Sequence, residues 1–311
     1  MRLSREAAGR RPHTGVVAGA SRQSSPDHGA SASGSGSGSG SGMMLSMPLA
    51  VPPDPARLVF EDHFDAPTLD PDVWVPHYLP AWSSRAETTA TYEIRDSCLR
   101  LSIPPEQGHW LPDDHTPPLR VSGIQSGNFS GPIGSTIGQQ PWRDGAIVRE
   151  QQEPFWGWTP QHGYLEMRAQ AVLSPRSMVA WWMVGLEDAP DRCAEICVAE
   201  VFGDGVIAGT SAAVGMGLHP FRDPMIVEDF EAVRLPIDVA GFHTYAVDWT
   251  PERADFLVDG ELIRSCAQSP SYPMQMMLAV FDFPARSAGN DADAVPELIV
   301  DYLRGYARRP G

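Results

Sequence analysis

The segment Gly163–Ala171 reads G-Y-L-E-M-R-A-Q-A, with Leu165, Met167 and Ala169 alternating with Glu166, Arg168 and Gln170. A period of two gives an extended chain one apolar and one polar face, which describes a β-strand with one side in water. Phe242–Trp249, F-H-T-Y-A-V-D-W, is rich in aromatic and β-branched residues and reads the same way. Residues 254–265 form two apolar runs joined through Asp259-Gly260. That pair predicts a tight hairpin, because a primed two-residue turn needs positive φ. Residues 273–281 and 298–306 supply further strands. No window carries a convincing helical period, and 30 prolines and 29 glycines punctuate the whole chain. Many short strands with frequent turn signals predict an all-β fold, a β-sandwich of two antiparallel sheets. The Pro/Gly-rich stretches 123–145 and 215–241 are expected as long connections decorating one face, where a binding site would form.

Residues 1–56 differ from the rest. Positions 31–42 are a Gly/Ser repeat, S-A-S-G-S-G-S-G-S-G-S-G, too poor in apolar groups to build a core. A disordered N-terminal tail is expected over 1–56 and a single folded domain over 57–308. Every one of the 23 basic residues is an arginine, which excludes chemistry that needs a lysine, such as a P-loop or a pyridoxal Schiff base. The formal charge is −16, and five of the arginines lie in the tail, so the folded part is more acidic still. Nucleic acid and anionic membrane are therefore disfavoured as partners, and a neutral ligand fits. The four cysteines, Cys98, Cys193, Cys197 and Cys266, show no C-x-x-C spacing for a structural zinc. No apolar run is long enough to span a membrane. No clear secretory signal stands near the N-terminus, so localisation is left open.

Residues 194–203, A-E-I-C-V-A-E-V-F-G, place two glutamates in an otherwise apolar strand. In a regular strand i and i+2 share a face and i and i+5 do not. Glu195 and Cys197 therefore share a face, and Glu200 joins them only if a β-bulge inserts one residue in between. Without the bulge, the two are ordinary solvated strand residues. With it, they form a carboxylate pair suited to glycoside hydrolysis. Exposed aromatics are the usual platforms for sugar rings: Trp156 and Trp158 are candidates, and so is one of Trp181 and Trp182, which stand on opposite faces of one strand. Trp156 and Trp158 share a side if their segment is extended.

The neighbourhood of that strand resembles glycoside hydrolase family 16, the laminarinase- and lichenase-like endo-β-glucanases. Glu195-Ile196-Cys197-Val198-Ala199-Glu200 is similar to the family's E-I-D-x-x-E strand. In the same order along the chain, residues 58–65, 163–168, 180–183, 242–251, 258–260 and 301–304 resemble further family segments. The resemblance implies a concanavalin A-like jelly roll with Glu195 as nucleophile and Glu200 as general acid/base. Cys197 stands where the family has an aspartate that hydrogen-bonds and tunes the nucleophile; a thiol can still offer a hydrogen bond to Glu195 but adds no negative charge. His219 falls where the family often has a histidine near the acid/base, and the resemblance of residues 180–183 to a family strand makes Trp182 the cleft candidate of the Trp181–Trp182 pair. Catalysis by two carboxylates requires no metal or cofactor. The structural calcium of some relatives is doubtful here, since Asp301 matches but the opening acidic position is His63, a poor ligand for a hard cation. The implied activity is retaining endo-hydrolysis of β-1,3 or mixed-linkage β-1,3-1,4 glucan by a monomer. The alternatives are a transglycosylase, a non-catalytic carbohydrate-binding protein marked by Cys197, and a jelly-roll protein with no sugar ligand.

Overall fold

The Asp259-Gly260 turn has φ of 50° and 78° and joins Ala254–Val258 to Glu261–Cys266, as a primed hairpin requires. The computed structural model describes residues 53–308 except 288, 290 and 292. Of the tail expected over 1–56, residues 1–52 lie outside the described residues. The remaining end is a short turn at Pro55–Arg57, capped by the Asp54 side chain and leading into the strand Leu58–Asp62.

Two antiparallel sheets account for most of the fold. The first has eight strands, in the order Glu261–Cys266, Ala254–Val258, His243–Trp249, Gly163–Val172, Glu297–Tyr306, Leu99–Ser102 and Tyr92–Ile94, with Leu58–Asp62 also on Glu297–Tyr306. The second has seven, in the order Val206–Ile207, Ser211–His219, Glu195–Phe202, Ser177–Gly185, Met274–Asp282 and Arg120–Gln125, with Asp229–Leu235 also on Ser211–His219. The four-residue turn Arg85–Thr88 is the one α-helical element among the described residues.

The alternation read from Gly163–Ala171 holds: Leu165, Met167 and Ala169 enter the core between the sheets. They face Trp181, Met183, Ile196, Val198 and Met276 from the second sheet. Fully burying one such side chain contributes about 1.5–3 kcal/mol, so this layer dominates the stability. The second sheet has a second apolar cluster on its other face. Trp182, Met277 and Phe281 are roofed there by Tyr78, Trp82, Trp110 and Val148 from long connections. Part of the expected loop 215–241 is instead strand, Ser211–His219 and Asp229–Leu235. Its glycines are there for space: a Cβ on Gly217, whose φ is 142°, would stand 2.1 Å from the Asp229 carbonyl oxygen. Likewise 123–145 opens inside the strand Arg120–Gln125. The covering connection is the stretch after it.

Candidate active site

Glu195–Phe202 runs between Ser177–Gly185 and Ser211–His219 and carries one extra residue relative to both. Against Ser177–Gly185, Trp181 pairs with Ala199 and Trp182 with Cys197, leaving Val198 without a partner. Against Ser211–His219, Gly217 pairs with Cys197 and Gly215 with Glu200. This is the bulge that a five-residue step demands, and it lies between Cys197 and Glu200. Val198 and Ala199 both turn inward to the intersheet core, together with Ile196 and Val201. Glu195, Cys197 and Glu200 turn to the other face, opposite Val184, Trp182 and Ala180 of the roofed cluster.

The face is dry. Glu195 is 0 % exposed and Glu200 7 %. Burial raises the Glu195 carboxyl to about 7, against the opposing pull of His219 and a hydrogen bond from Gln140. Burial and then the neighbouring charge of Glu195 raise Glu200 to about 8. Glu195 Oε2 accepts from Gln140 Nε2 at 2.9 Å, while its Oε1 is buried with no hydrogen-bond partner among the described residues. Cys197 donates to the Gly215 carbonyl, with an Sγ–O distance of 3.9 Å, rather than to Glu195. Burial pushes its thiol well up, so it stays neutral.

His219 pairs with Glu195 across the strands. Its Nδ1 lies 2.8 Å from Glu228 Oε1, and its ring stacks on Phe230 at 4.7 Å. Burial opposes a charge on His219, but the hydrogen bond to Glu228 and the charges of Glu195, Glu228 and Glu200 outweigh it and raise its pKa. Trp182 sits on the same face but is 0 % exposed, with Nε1 donating to Gln140 Oε1 at 3.3 Å. It belongs to the floor under the covering segment. Trp156 is 39 % exposed and stands at the margin, where the Gly127 backbone fits between its ring and Gln275. Gln275 lies in the cross-strand row Gln275–Val184–Glu195, two strands from the glutamate and so roughly 10 Å away.

Trp158 does not join this face. Its ring stacks on Phe60 at 4.0 Å and covers Gly305 of the first sheet. The chain bends at Gly157, which is packed against the Val73 carbonyl, so positions 156 and 158 do not share a side. Gln140, Glu187 and Arg222 were not legible as site residues. Gln140 sits in a Gly/Pro-rich connection with no periodicity, and only the fold carries it to Glu195.

Residues 159–295, which span the bulged strand, match the family model described as Glycosyl hydrolases family 16. Over that stretch the chain matches glycosyl hydrolase family 16, as its resemblance implied. Among solved structures it is similar to a GlcNAcα1-4Gal-releasing endo-β-galactosidase from Clostridium perfringens, at 28 % identity and a TM-score of 0.67. That match covers 83 % of this chain and 64 % of the Clostridium chain, so this chain spans less than two thirds of that protein. The catalytic domain of an endo-1,3-β-glucanase (laminarinase) from Thermotoga petrophila matches at 16 % identity and a TM-score of 0.57, covering 81 % of this chain and 98 % of that one. An endo-β-1,3-glucanase from Pyrococcus furiosus matches at 14 % and 0.58, covering 85 % and 100 %. The last two likenesses show the jelly-roll fold alone. No curated protein sequence matches the chain.

The two positions considered for a calcium are paired within the chain. The Asp301 carboxylate is held by the Arg168 guanidinium. His63 lies 3.2 Å from Glu61 and 3.3 Å from Arg304. Among the described residues no helix is long and apolar enough to cross a membrane.

The buried pair has a consequence for stability. A carboxyl whose pKa is raised by folding contributes stability that is fully present below its unfolded value and lost as pH rises through its folded value. For Glu200 that window runs from 4.5 to about 8. Glu200→Gln is expected to melt like the wild type near pH 4.5 and at a higher temperature near pH 8. Parallel melting curves across this range would contradict the burial of a protonated Glu200.

Proposed function

We propose that the chain is a retaining endo-β-glycoside hydrolase with Glu195 as nucleophile and Glu200 as general acid/base. The observation that carries this is the Val198 bulge, which brings both glutamates onto one dry face of the sheet. A Glu195 carboxylate oxygen bonds to the anomeric carbon as the bond to the leaving oxygen breaks, and that oxygen takes the proton of Glu200. Glu200, now a carboxylate, removes a proton from water, whose oxygen displaces Glu195 and restores the original configuration. The charge of Glu195 adds to the burial that raises the Glu200 carboxyl, which suits Glu200 to carry the proton. Cys197 contributes bulk and no charge. His219, fixed by Glu228 and stacked on Phe230, bounds the site on one side. Trp156 offers an exposed ring at its margin. The reaction needs no metal, and a monomer suffices.

The expected substrate is β-1,3 or mixed-linkage β-glucan. A second reading, a β-galactoside-containing glycan, is favoured by the greater likeness to the Clostridium endo-β-galactosidase, 28 % against 16 % for the Thermotoga laminarinase. Reducing-end release is to be measured on laminarin, lichenan and a mucin-type O-glycan. Release from laminarin or lichenan is the expected result. Release from the O-glycan alone would move the assignment to galactosides. Binding of a glucan with no release from any substrate would overturn hydrolysis and favour a sugar-binding protein.

A further inference from the structure

Gln140 donates a hydrogen bond to Glu195, yet no sequence signal marks it. Its Nε2 donates to Glu195 Oε2 at 2.9 Å. Its Oε1 accepts from Trp182 Nε1 at 3.3 Å. An indole N–H can only donate, so the amide oxygen must face Trp182 and the NH₂ must face the carboxylate. The backbone is held independently of this side chain. Gln140 N donates to Glu187 Oε1 at 2.6 Å, and Glu187 is paired with Arg222. Gln139 accepts from Trp82 Nε1 through its carbonyl at 2.6 Å and donates to the Leu186 carbonyl at 3.2 Å. Gln140 itself has a φ of 43°, a conformation a glutamine adopts only where its surroundings impose it.

We propose that Gln140 is a positioning residue: it holds Glu195 by Oε2 and leaves Oε1, which has no hydrogen-bond partner among the described residues, as the oxygen that bonds to the sugar. The inference rests on the assignment of Glu195 as nucleophile. It follows from the division between the two oxygens, one hydrogen-bonded and the other buried without a partner. Cys197 cannot take this part, since its thiol is directed to Gly215. A neutral donor of this kind favours the ionised carboxylate and fixes its rotamer without adding a competing charge. The other titratable groups around Glu195 are His219 and Glu228, which oppose each other, with Glu200, Cys197 and the buried Tyr78.

The test compares wild type, Gln140→Met and Gln140→Ala on whichever polysaccharide the wild type cleaves, with Glu195→Gln alongside. Both Gln140 variants keep the backbone anchor to Glu187, and a thermal melt checks their folding. The expected result is a kcat lower by about 10- to 100-fold, the worth of a hydrogen bond to a charged group. KM should change little, and the acidic limb of the kcat/KM profile should move to higher pH. Wild-type kcat with an unmoved limb in both variants, while Glu195→Gln is inactive, would overturn the role of Gln140 and leave the nucleophile intact. Faster turnover in either variant would also overturn it, making Gln140 a plug over the site. A fully active Glu195→Gln would remove the nucleophile assignment and this inference with it.

Discussion

Glu195→Gln is expected to lower kcat on the order of 10⁴-fold or more, with little loss of folding stability. Removing a covalent nucleophile eliminates the two-step route, and what remains is catalysis from binding and from the surviving acid. The amide is nearly isosteric, so the space under Gln140 stays filled. It is also neutral, which removes the cost of holding a carboxylate at a position with no exposure to water. Glu200→Gln is expected to be milder, about 10²- to 10⁴-fold, because general acid/base assistance is one contribution among several. Kinetics on the cleaved polysaccharide, paired with a thermal melt of each variant, measure both effects. More than a tenth of wild-type activity in folded Glu195→Gln would contradict its role.

Trp181→Ala is expected to cost about 3–5 kcal/mol, a large share of the roughly 5–15 kcal/mol that holds a domain together. Trp181 is 0 % exposed and lies between the sheets. It also pairs with Ala199, one of the two residues that the bulge turns inward. The cavity left by the indole would open directly behind the bulge of Glu195–Phe202. A drop of roughly 6–20 °C in melting temperature should follow for a domain of this size. Activity should fall with it, since the bulge loses the layer on which it rests. A urea or thermal melt measures the effect. A loss below about 1 kcal/mol would show that the core repacks and that the bulge does not depend on this side chain.

The contrast between these two positions shows what the amino-acid order made legible. Period-two alternation in Gly163–Val172 and the Asp259-Gly260 turn are local signals, and both emerge as read. The bulge was legible as a condition: five residues cannot bring Glu195 and Glu200 to one face without it. Trp158 shows the limit of such reasoning. Its alternation with Trp156 is real in the letters, but the bend at Gly157 depends on the carbonyl of Val73, more than eighty positions earlier. Gln140 lies further beyond reach. Its place is set by Trp82, Leu186 and Glu187, three contacts that exist only after the sheet has formed and the covering connection has closed over it. Trp182 carries the same lesson: one face of the strand could be assigned, but not that Gln140 and the covering segment would seal it.

The central claim is that Glu195 forms a bond to the sugar during retaining hydrolysis. It is tested most directly by trapping that bond. The wild type is incubated with a 2-deoxy-2-fluoro-β-glycoside of the oligosaccharide it cleaves, then digested with a protease and examined by mass spectrometry. The prediction is a single added glycosyl mass on the peptide spanning Glu195 to Glu200, localised to Glu195 by fragmentation. A glycosyl group on Glu200 instead, or an inverted product anomer with no adduct from an enzyme active on the parent oligosaccharide, would contradict it.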